Sequence, residues 1–194
     1  MANIHDEGSL IQMYIGARGT GKTTQQKLMA TTFVRNGGRV LIIPSSPYEK
    51  TFKRVPRVKI EQIKEIPSGF IAAIDCKGVD EFADVLETCD NIMLVADDIR
   101  GYMPNAQMNK RVRQALISSR HRGVDFTMAV HGFTQVPPEF FMYVDFIWLF
   151  RTGDYIKMHR DKFRDLDEIT EAQKRVNQKA EENQYYCEII NNQR

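Results

Sequence analysis

The chain has 194 residues and a formal net charge of +2, with 42% apolar and 27% charged residues. These values are ordinary for a globular domain and disfavour a disordered or fibrous chain. No apolar run approaches the ~20 residues of a membrane span, and the first residues lack a secretory signal pattern. We therefore predict a mobile tail over 1–8 and one domain over 9–194, divided into a core at 10–150 and an extension at 151–194.

The first predicted strand, Leu10–Ile15, leads into Gly16-Ala17-Arg18-Gly19-Thr20-Gly21-Lys22-Thr23. This run fits G-x-x-x-x-G-K-[ST], the phosphate-binding loop, and a predicted helix follows from Thr24 to about Asn36. The glycines allow turns that bring backbone N–H groups close to a phosphate, and the helix N-terminus adds to the anion site. The predicted nucleotide-binding residues are Gly16, Ala17, Arg18, Gly19, Thr20, Gly21, Lys22, Thr23 and Thr24.

Two side chains of this loop carry specific roles. Lys22 is expected to reach the β- and γ-phosphates, and the Thr23 hydroxyl is expected to hold Mg²⁺. A glycine-rich turn with a solvated lysine is the alternative, but the flanking strand and helix favour the nucleotide site.

A second strand is predicted at Arg39–Ile43, and residues 48–69 then form the least regular part of the chain. We expect this part to be an insertion lying over the carboxyl edge of the sheet. It is either a solvated loop or a contact surface for nucleic acid, because clustered basic residues attract phosphates. The basic residues are Lys50, Lys53, Arg54, Arg57 and Lys59.

A strand at Phe70–Ile74 and an amphipathic helix from Val79 to Leu86 come next, followed by the run Asn91–Asp98. This run is apolar until it ends in two carboxylates, Asp97 and Asp98. In open parallel sheets ligands bind beyond the carboxyl ends of the strands. Asp97 is therefore expected to anchor Mg²⁺, and Asp98 to orient or deprotonate the attacking water. The alternative is a strand capped by an Asp-rich turn.

A helix from about Met108 to Ser119 continues into Arg120-His121-Arg122-Gly123. Six cationic or titratable residues fall between positions 110 and 122 without an intervening acid. They form a solvated helix face, a DNA-facing surface, or the source of an arginine that reaches a neighbouring subunit's γ-phosphate.

The next predicted strand, Phe126–Val130, is followed by His131 and Gln135. An amide just past a strand end can bind the γ-phosphate or the attacking water, and Gln135 is the candidate for this sensor role. The alternative is a loop glutamine bonded to its own backbone. His131 is expected to be structural.

The remaining chain predicts a buried strand at Phe146–Phe150, a charged helix around Ile169–Val176 and a last strand at Tyr185–Ile190. Strands and helices alternate throughout, so we predict an α/β three-layer sandwich with a mainly parallel sheet. In sequence, a strand lies between the phosphate-loop strand and the Asp97 strand. This favours the RecA-like, additional-strand class of P-loop NTPases that carries a catalytic acid.

The stretch Ser118–Gln135 resembles the FtsK–HerA group of DNA-pumping ATPases. Members show Arg-x-x-Gly, an apolar strand and then a Thr-Gln or Ser-Gln sensor, which match Arg120-His121-Arg122-Gly123 and Thr134-Gln135. The small size of the chain is most similar to the viral genome-packaging ATPases of that group. The resemblance covers about Leu10–Phe150.

The resemblance implies a homo-oligomeric ring, a pentamer or hexamer, that uses ATP and Mg²⁺ to translocate double-stranded DNA. It also implies a viral capsid portal or vertex as partner and the host cytoplasm as location. By position, Gly16–Thr23 match Walker A, Asp97 matches Walker B, and Gln135 matches the sensor. Arg120 or Arg122 matches the region that supplies the trans arginine. The chain departs from the family at Asp98, where many members have glutamate.

Three other functions stay open at this point. A small-molecule kinase would need an acceptor pocket and an Arg-rich lid, for which the basic stretch at 50–59 is a candidate. A nucleotide-gated phage assembly or export ATPase would normally carry a membrane segment. A DNA-binding adaptor would bind ATP without hydrolysing it.

Overall fold

The protein is built on a single sheet in the computed structural model, which describes residues 9–46, 48–103, 107–154, 156, 163 and 165–192. Within these residues the strands are β1 (Ile11–Ile15), β2 (Val40–Ile43), β3 (Ile71–Ala73), β4 (Ile92–Ala96), β5 (Val124–Val130), β6 (Phe146–Phe150) and β7 (Cys187–Asn191). The helices are α1 (Lys22–Arg35), α2 (Val79–Thr88), α3 (Lys110–Ser119) and α4 (Leu166–Lys179).

The strands are ordered β3-β2-β4-β5-β1-β6-β7. All neighbours are parallel except β6 and β7, which are antiparallel. Strand β5 lies between β1 and β4, so an additional strand separates the phosphate-loop strand from the strand that ends at Asp97. The continuous apolar runs of β1, β2 and β4 are buried along their whole length, as expected of central strands covered on both faces.

Helices cover the sheet unequally. On one face α2, α3 and α4 bury residues such as Phe82, Leu116 and Val176 in the main core. On the other face α1 packs with Ala30 against Val40 and Val95. The predicted three-layer α/β sandwich with a mainly parallel sheet is confirmed.

The path of residues 48–69 differs from the expectation of an insertion over the carboxyl edge. Phe52 is buried in the core on the α1 face, whereas Ile63 is buried in the core on the α2 face. Between them the backbone pairs with β3, through hydrogen bonds from Val58 N to Ala73 O and from Ala73 N to Pro56 O. The segment therefore starts at the carboxyl edge, but it wraps around β3 and covers the open side of the sheet. It takes this path because Phe52 and Ile63 are buried in the cores on opposite faces of the sheet.

The described part of the 151–194 extension packs with the core and the sheet, since α4 joins the main core and β7 pairs with β6. The last strand begins two residues later than predicted, which leaves Tyr185 and Tyr186 in the preceding turn. The predicted tail at 1–8 lies outside the described residues. No helix among the described residues is long and apolar enough to cross a membrane.

Candidate nucleotide site

Three neighbouring strands end around one cleft. Strands β1, β5 and β4 run parallel, so the phosphate loop, His131 and the Asp97–Asp98 pair follow three adjacent carboxyl ends. The cleft is a cavity of about 600 Å³, within the size range of ligand sites. Among the predicted loop residues, those that line it are Arg18, Gly19, Gly21, Lys22, Thr23 and Thr24.

The loop keeps its shape through its glycines and one threonine. Gly19 and Gly21 have φ values of +81° and +98°, in the left-handed region that favours glycine. Gly16 is required for space instead, since a Cβ there would lie 2.5 Å from the Cβ of Phe150. Thr20 is buried and donates a hydrogen bond from its hydroxyl to Ala17 O at 2.8 Å. These contacts hold the loop open toward the cleft.

Lys22 is buried beneath the loop, with 7% of its surface exposed. Its Nζ donates to Gly16 O at 2.6 Å and to Ala17 O at 3.0 Å. Burial lowers the pKa of this ammonium group, and the charges of Asp97 and Asp98 partly oppose that shift. A desolvated cation held by the carbonyls of the phosphate loop is well placed to meet the oxygens of a phosphate.

Thr23 and Asp97 bring two side-chain oxygens together at the edge of the loop. The Thr23 hydroxyl donates to Asp97 Oδ1 at 3.0 Å, and Asp97 is only 7% exposed. Burial raises the pKa of Asp97, and the negative charge of Glu49 adds to the shift, while hydrogen bonds from Thr23 and Ser45 oppose it. A cation placed here would relieve this cost, because it would stabilise the ionised carboxylate.

Asp98 is held in a strained backbone conformation at the mouth of the same cleft. Its φ of +59° is uncommon for a residue with a Cβ, and such strain clusters at functional sites. Its Oδ1 is buried and has no hydrogen-bond partner among the described residues. An orphaned carboxylate oxygen next to the Thr23–Asp97 pair fits a site for Mg²⁺ and its waters, because Mg²⁺ prefers oxygen ligands and takes few from the protein.

His131 joins the two halves of the site, which sequence analysis did not foresee. Its Nδ1 lies 3.4 Å from Lys22 Nζ, and its Nε2 lies 3.5 Å from Asp98 Oδ2. The signal available in the sequence was its position as the first residue after β5. Glu49, a further lining residue that sequence analysis missed, approaches from the segment after β2.

Gln135 does not line this cavity, contrary to the placement expected of a sensor. It ends a short 3₁₀ turn, Phe133–Gln135, and its Oε1 is buried without a hydrogen-bond partner among the described residues. The turn is held away from the cleft because the backbone N–H of Thr134 donates a hydrogen bond to Asp154 Oδ2 at 2.7 Å. The structure thus brings His131 to the cleft in the position expected for Gln135.

Arg120 and Arg122 lie at the opposite, amino edge of the sheet, just before β5. Arg120 forms an ion pair with Asp145, whose side chain is 3% exposed. Arg122 donates from Nη1 to the carbonyls of Leu86 at 2.7 Å and Cys89 at 2.8 Å. Neither arginine approaches the cleft of its own chain, so a contact with nucleotide would require a second copy.

The fold and the loop together define a P-loop NTPase fold. The genome-packaging NTPase B204 from Sulfolobus turreted icosahedral virus 2, in complex with AMPPCP, matches with a TM-score of 0.68 at 15% identity, over 95% of this chain and 93% of that one. The DNA-packaging ATPase B204 from Sulfolobus Turreted Icosahedral Virus matches with a TM-score of 0.58 at 16% identity, over 94% and 92%. At these identities the likeness establishes the fold. No protein-family model and no curated protein matches the chain.

Proposed function

We propose that this protein is an Mg²⁺-dependent ATPase that translocates double-stranded DNA, as the genome-packaging motor of a virus or phage. The observation that carries the proposal is the convergence of Lys22, Thr23, Asp97, Asp98 and His131 in one cleft. The printed functions of the structural neighbours, genome packaging and DNA packaging, support the choice of DNA.

The five convergent side chains each have a defined part in this reaction. The loop amides and Lys22 bind the phosphates, and Thr23 and Asp97 hold Mg²⁺. When bound, Mg²⁺ neutralises charge on the phosphate oxygens. Asp98 accepts a hydrogen bond from the attacking water, and His131 links this carboxylate to Lys22, so that the two groups respond together to the γ-phosphate.

A ring of copies would complete the site. Arg120 is 57% exposed at its side chain, whereas Arg122 is enclosed by carbonyls of its own chain. Arg120 is therefore the better candidate for the arginine that one subunit supplies to the next, an addition worth about 10³–10⁵ in rate in other P-loop enzymes. In this setting the ring would dock on a capsid portal or vertex in the host cytoplasm.

The two basic regions of the chain differ in their availability to DNA. In the region 110–122, Arg111 pairs with Asp84 and Glu87, and Arg113 pairs with Glu139. In the region 50–59, four exposed cations have no ion-pair partner among the described residues. They are Lys50, Lys53, Arg54 and Lys59. Buried Phe52 anchors this second region, so we place the duplex backbone there.

The test is phosphate release by assembled protein with and without duplex DNA. We expect stimulation by DNA, and hydrolysis that is indifferent to DNA would overturn the translocase proposal. A phosphorylated metabolite in place of free phosphate would indicate a kinase instead.

A triple variant, K50Q/K53Q/R54Q, examines the DNA surface separately. Because each neutralised phosphate contributes about −0.9 to the slope of log K against log salt, the slope for DNA binding should become shallower by about 2–3. The matched control, K27Q/R35Q/K174Q, removes three exposed cations elsewhere and should leave the slope near wild type. Equal effects of the two triples would remove the assignment of this surface.

A further inference from the structure

One wall of the nucleotide cleft is formed by an aromatic side chain that the proposed reaction does not use. Tyr185 lines the same cavity as the phosphate loop, yet it lies in the turn between α4 and β7, about 160 residues later in the sequence. Among the described residues that line this cavity it is the only Phe, Tyr or Trp, and the imidazole of His131 is already bound between Lys22 and Asp98. Its surface is 60% exposed, so most of the ring is free to contact a ligand in the cleft.

The ring is close to the start of α1. A Cβ built on Gly21 would lie 3.2 Å from Tyr185 Cδ1, so the edge of the ring contacts the backbone just before Lys22. Glycine at this position serves both the left-handed turn, with φ of +98°, and this close approach. The ring therefore stands beside the point where the phosphate chain of a nucleotide would leave the loop.

The turn that carries Tyr185 is fixed by its neighbours. Tyr185 N donates to Asn183 Oδ1 at 3.1 Å, and Tyr186 N donates to Asn183 O at 2.8 Å. The Tyr186 hydroxyl lies 2.9 Å from Lys179 Nζ and 3.3 Å from Glu188 Oε1. Tyr186 is thus tied into the fold, whereas the Tyr185 hydroxyl has no hydrogen bond among the described residues.

We propose that Tyr185 is the stacking platform for the base of the bound nucleoside triphosphate. This inference rests on the proposed function, since it assumes that the loop binds a triphosphate. An exposed aromatic ring on a fixed turn offers a flat apolar surface at little entropic cost, and stacking on such a ring is tolerant of base identity. The platform should therefore favour nucleotides over bare polyphosphate and distinguish little between ATP and GTP.

The test compares two ligands that share phosphates and differ in the base. Binding of ATPγS and of inorganic tripolyphosphate, each with Mg²⁺, is measured by calorimetry for wild type, Tyr185→Ala and Tyr185→Phe. Tyr185→Ala should weaken ATPγS about 5- to 150-fold, the equivalent of ~1–3 kcal/mol of stacking, and leave tripolyphosphate unchanged. Tyr185→Phe should retain both affinities, since it keeps the ring.

Phe70→Ala is the matched control, because Phe70 is 59% exposed and does not line the cavity. It should leave both affinities at wild-type values. Unchanged ATPγS binding in Tyr185→Ala, or an equal loss of both ligands, would overturn the inference while the ATPase proposal stands. A wild-type protein that binds neither ligand would instead overturn the proposed function itself.

Discussion

The carboxyl and amino edges of the sheet both carry charged side chains, but the two edges differ in how many hydrogen-bond and ion-pair partners these side chains have. At the carboxyl edge burial lowers the pKa of Lys22 and raises that of Asp97, and Asp98 keeps an orphaned oxygen. At the amino edge Arg122 donates to four carbonyls of its own chain, and buried Asp145 accepts from Ile11 N at 2.8 Å as well as pairing with Arg120. Buried charges with incomplete partners indicate a ligand site, whereas the four carbonyl bonds of Arg122 stabilise the fold.

The strongest test of this contrast is Lys22→Ala. It should lower phosphate release by at least about 10³-fold, because a single preorganised donor is worth about 10²–10³ in kcat and Lys22 also binds ground-state phosphate. Thermal unfolding should change little, since the variant removes a desolvated charge. Lys27→Ala, an exposed lysine of the same helix, is the control. Wild-type turnover by Lys22→Ala would contradict the site.

The next test separates His131 from Gln135. His131→Ala should lower kcat by about 10²-fold, the lower range for a positioned acid–base group, with little change in KM. Gln135→Ala should retain nearly wild-type kcat, because Gln135 does not line the cavity. Steady-state kinetics at saturating ATP decide between them. The opposite ranking would restore Gln135 as the sensor.

The amino edge is tested by Arg122→Ala. This variant should lose about 2–3 kcal/mol of unfolding free energy, since hydrogen bonds from a charged donor contribute about 1.5–3 kcal/mol and part of this group is solvated. Arg113→Ala breaks an exposed pair with Glu139 and should lose at most about 1 kcal/mol. Urea unfolding measures both. An Arg122→Ala protein as stable as wild type would break the contrast between the edges.

The last test concerns stability, where Asp97→Asn should gain about 0.5–2 kcal/mol of unfolding free energy although it loses Mg²⁺-dependent hydrolysis. The native state binds the proton of Asp97 more tightly than the unfolded chain does, because burial raises its pKa. Stability from this group is therefore greatest below its ordinary pKa and declines as pH rises through the raised value.

The pH dependence sharpens this prediction. The advantage of Asp97→Asn should vanish at acid pH and grow as pH rises, whereas Mg²⁺ binding by wild type should weaken as pH falls and Asp97 takes up its proton. Urea unfolding and Mg²⁺ titration across pH report the two trends. A variant less stable than wild type at neutral pH would show that the carboxylate is stabilising.

The sequence predicted local features well because their causes are local. Continuous apolar runs identified the buried strands, and the order of glycines, Lys22 and Thr23 identified the loop. Ion pairs between residues that are distant in sequence could not be predicted from such local patterns. The acid-free stretch at 110–122 suggested a free basic surface, but Asp84, Glu87 and Asp145 reach it from other elements.

The sensor position shows the same limit at finer scale. Family resemblance favoured Gln135, whereas β5 ends at Val130 and His131, the first residue after the strand, lines the cleft. Whether the residue next to a strand end or one four positions later faces the cleft is decided by the turn that follows the strand. Here that turn is fixed by Thr134 and Asp154, which are 20 residues apart in sequence.

The central claim is that the carboxyl edge binds Mg²⁺ and a nucleoside triphosphate between the loop and the two aspartates. A crystal structure of the protein with Mg²⁺ and the non-hydrolysable analogue AMPPCP tests it most directly. The account predicts phosphates on the 16–23 loop and Mg²⁺ bound by Thr23 and by Asp97, directly or through water, with Asp98 beside the γ-phosphate. An analogue bound away from this loop, or a carboxylate pair turned away from the phosphates, would contradict it.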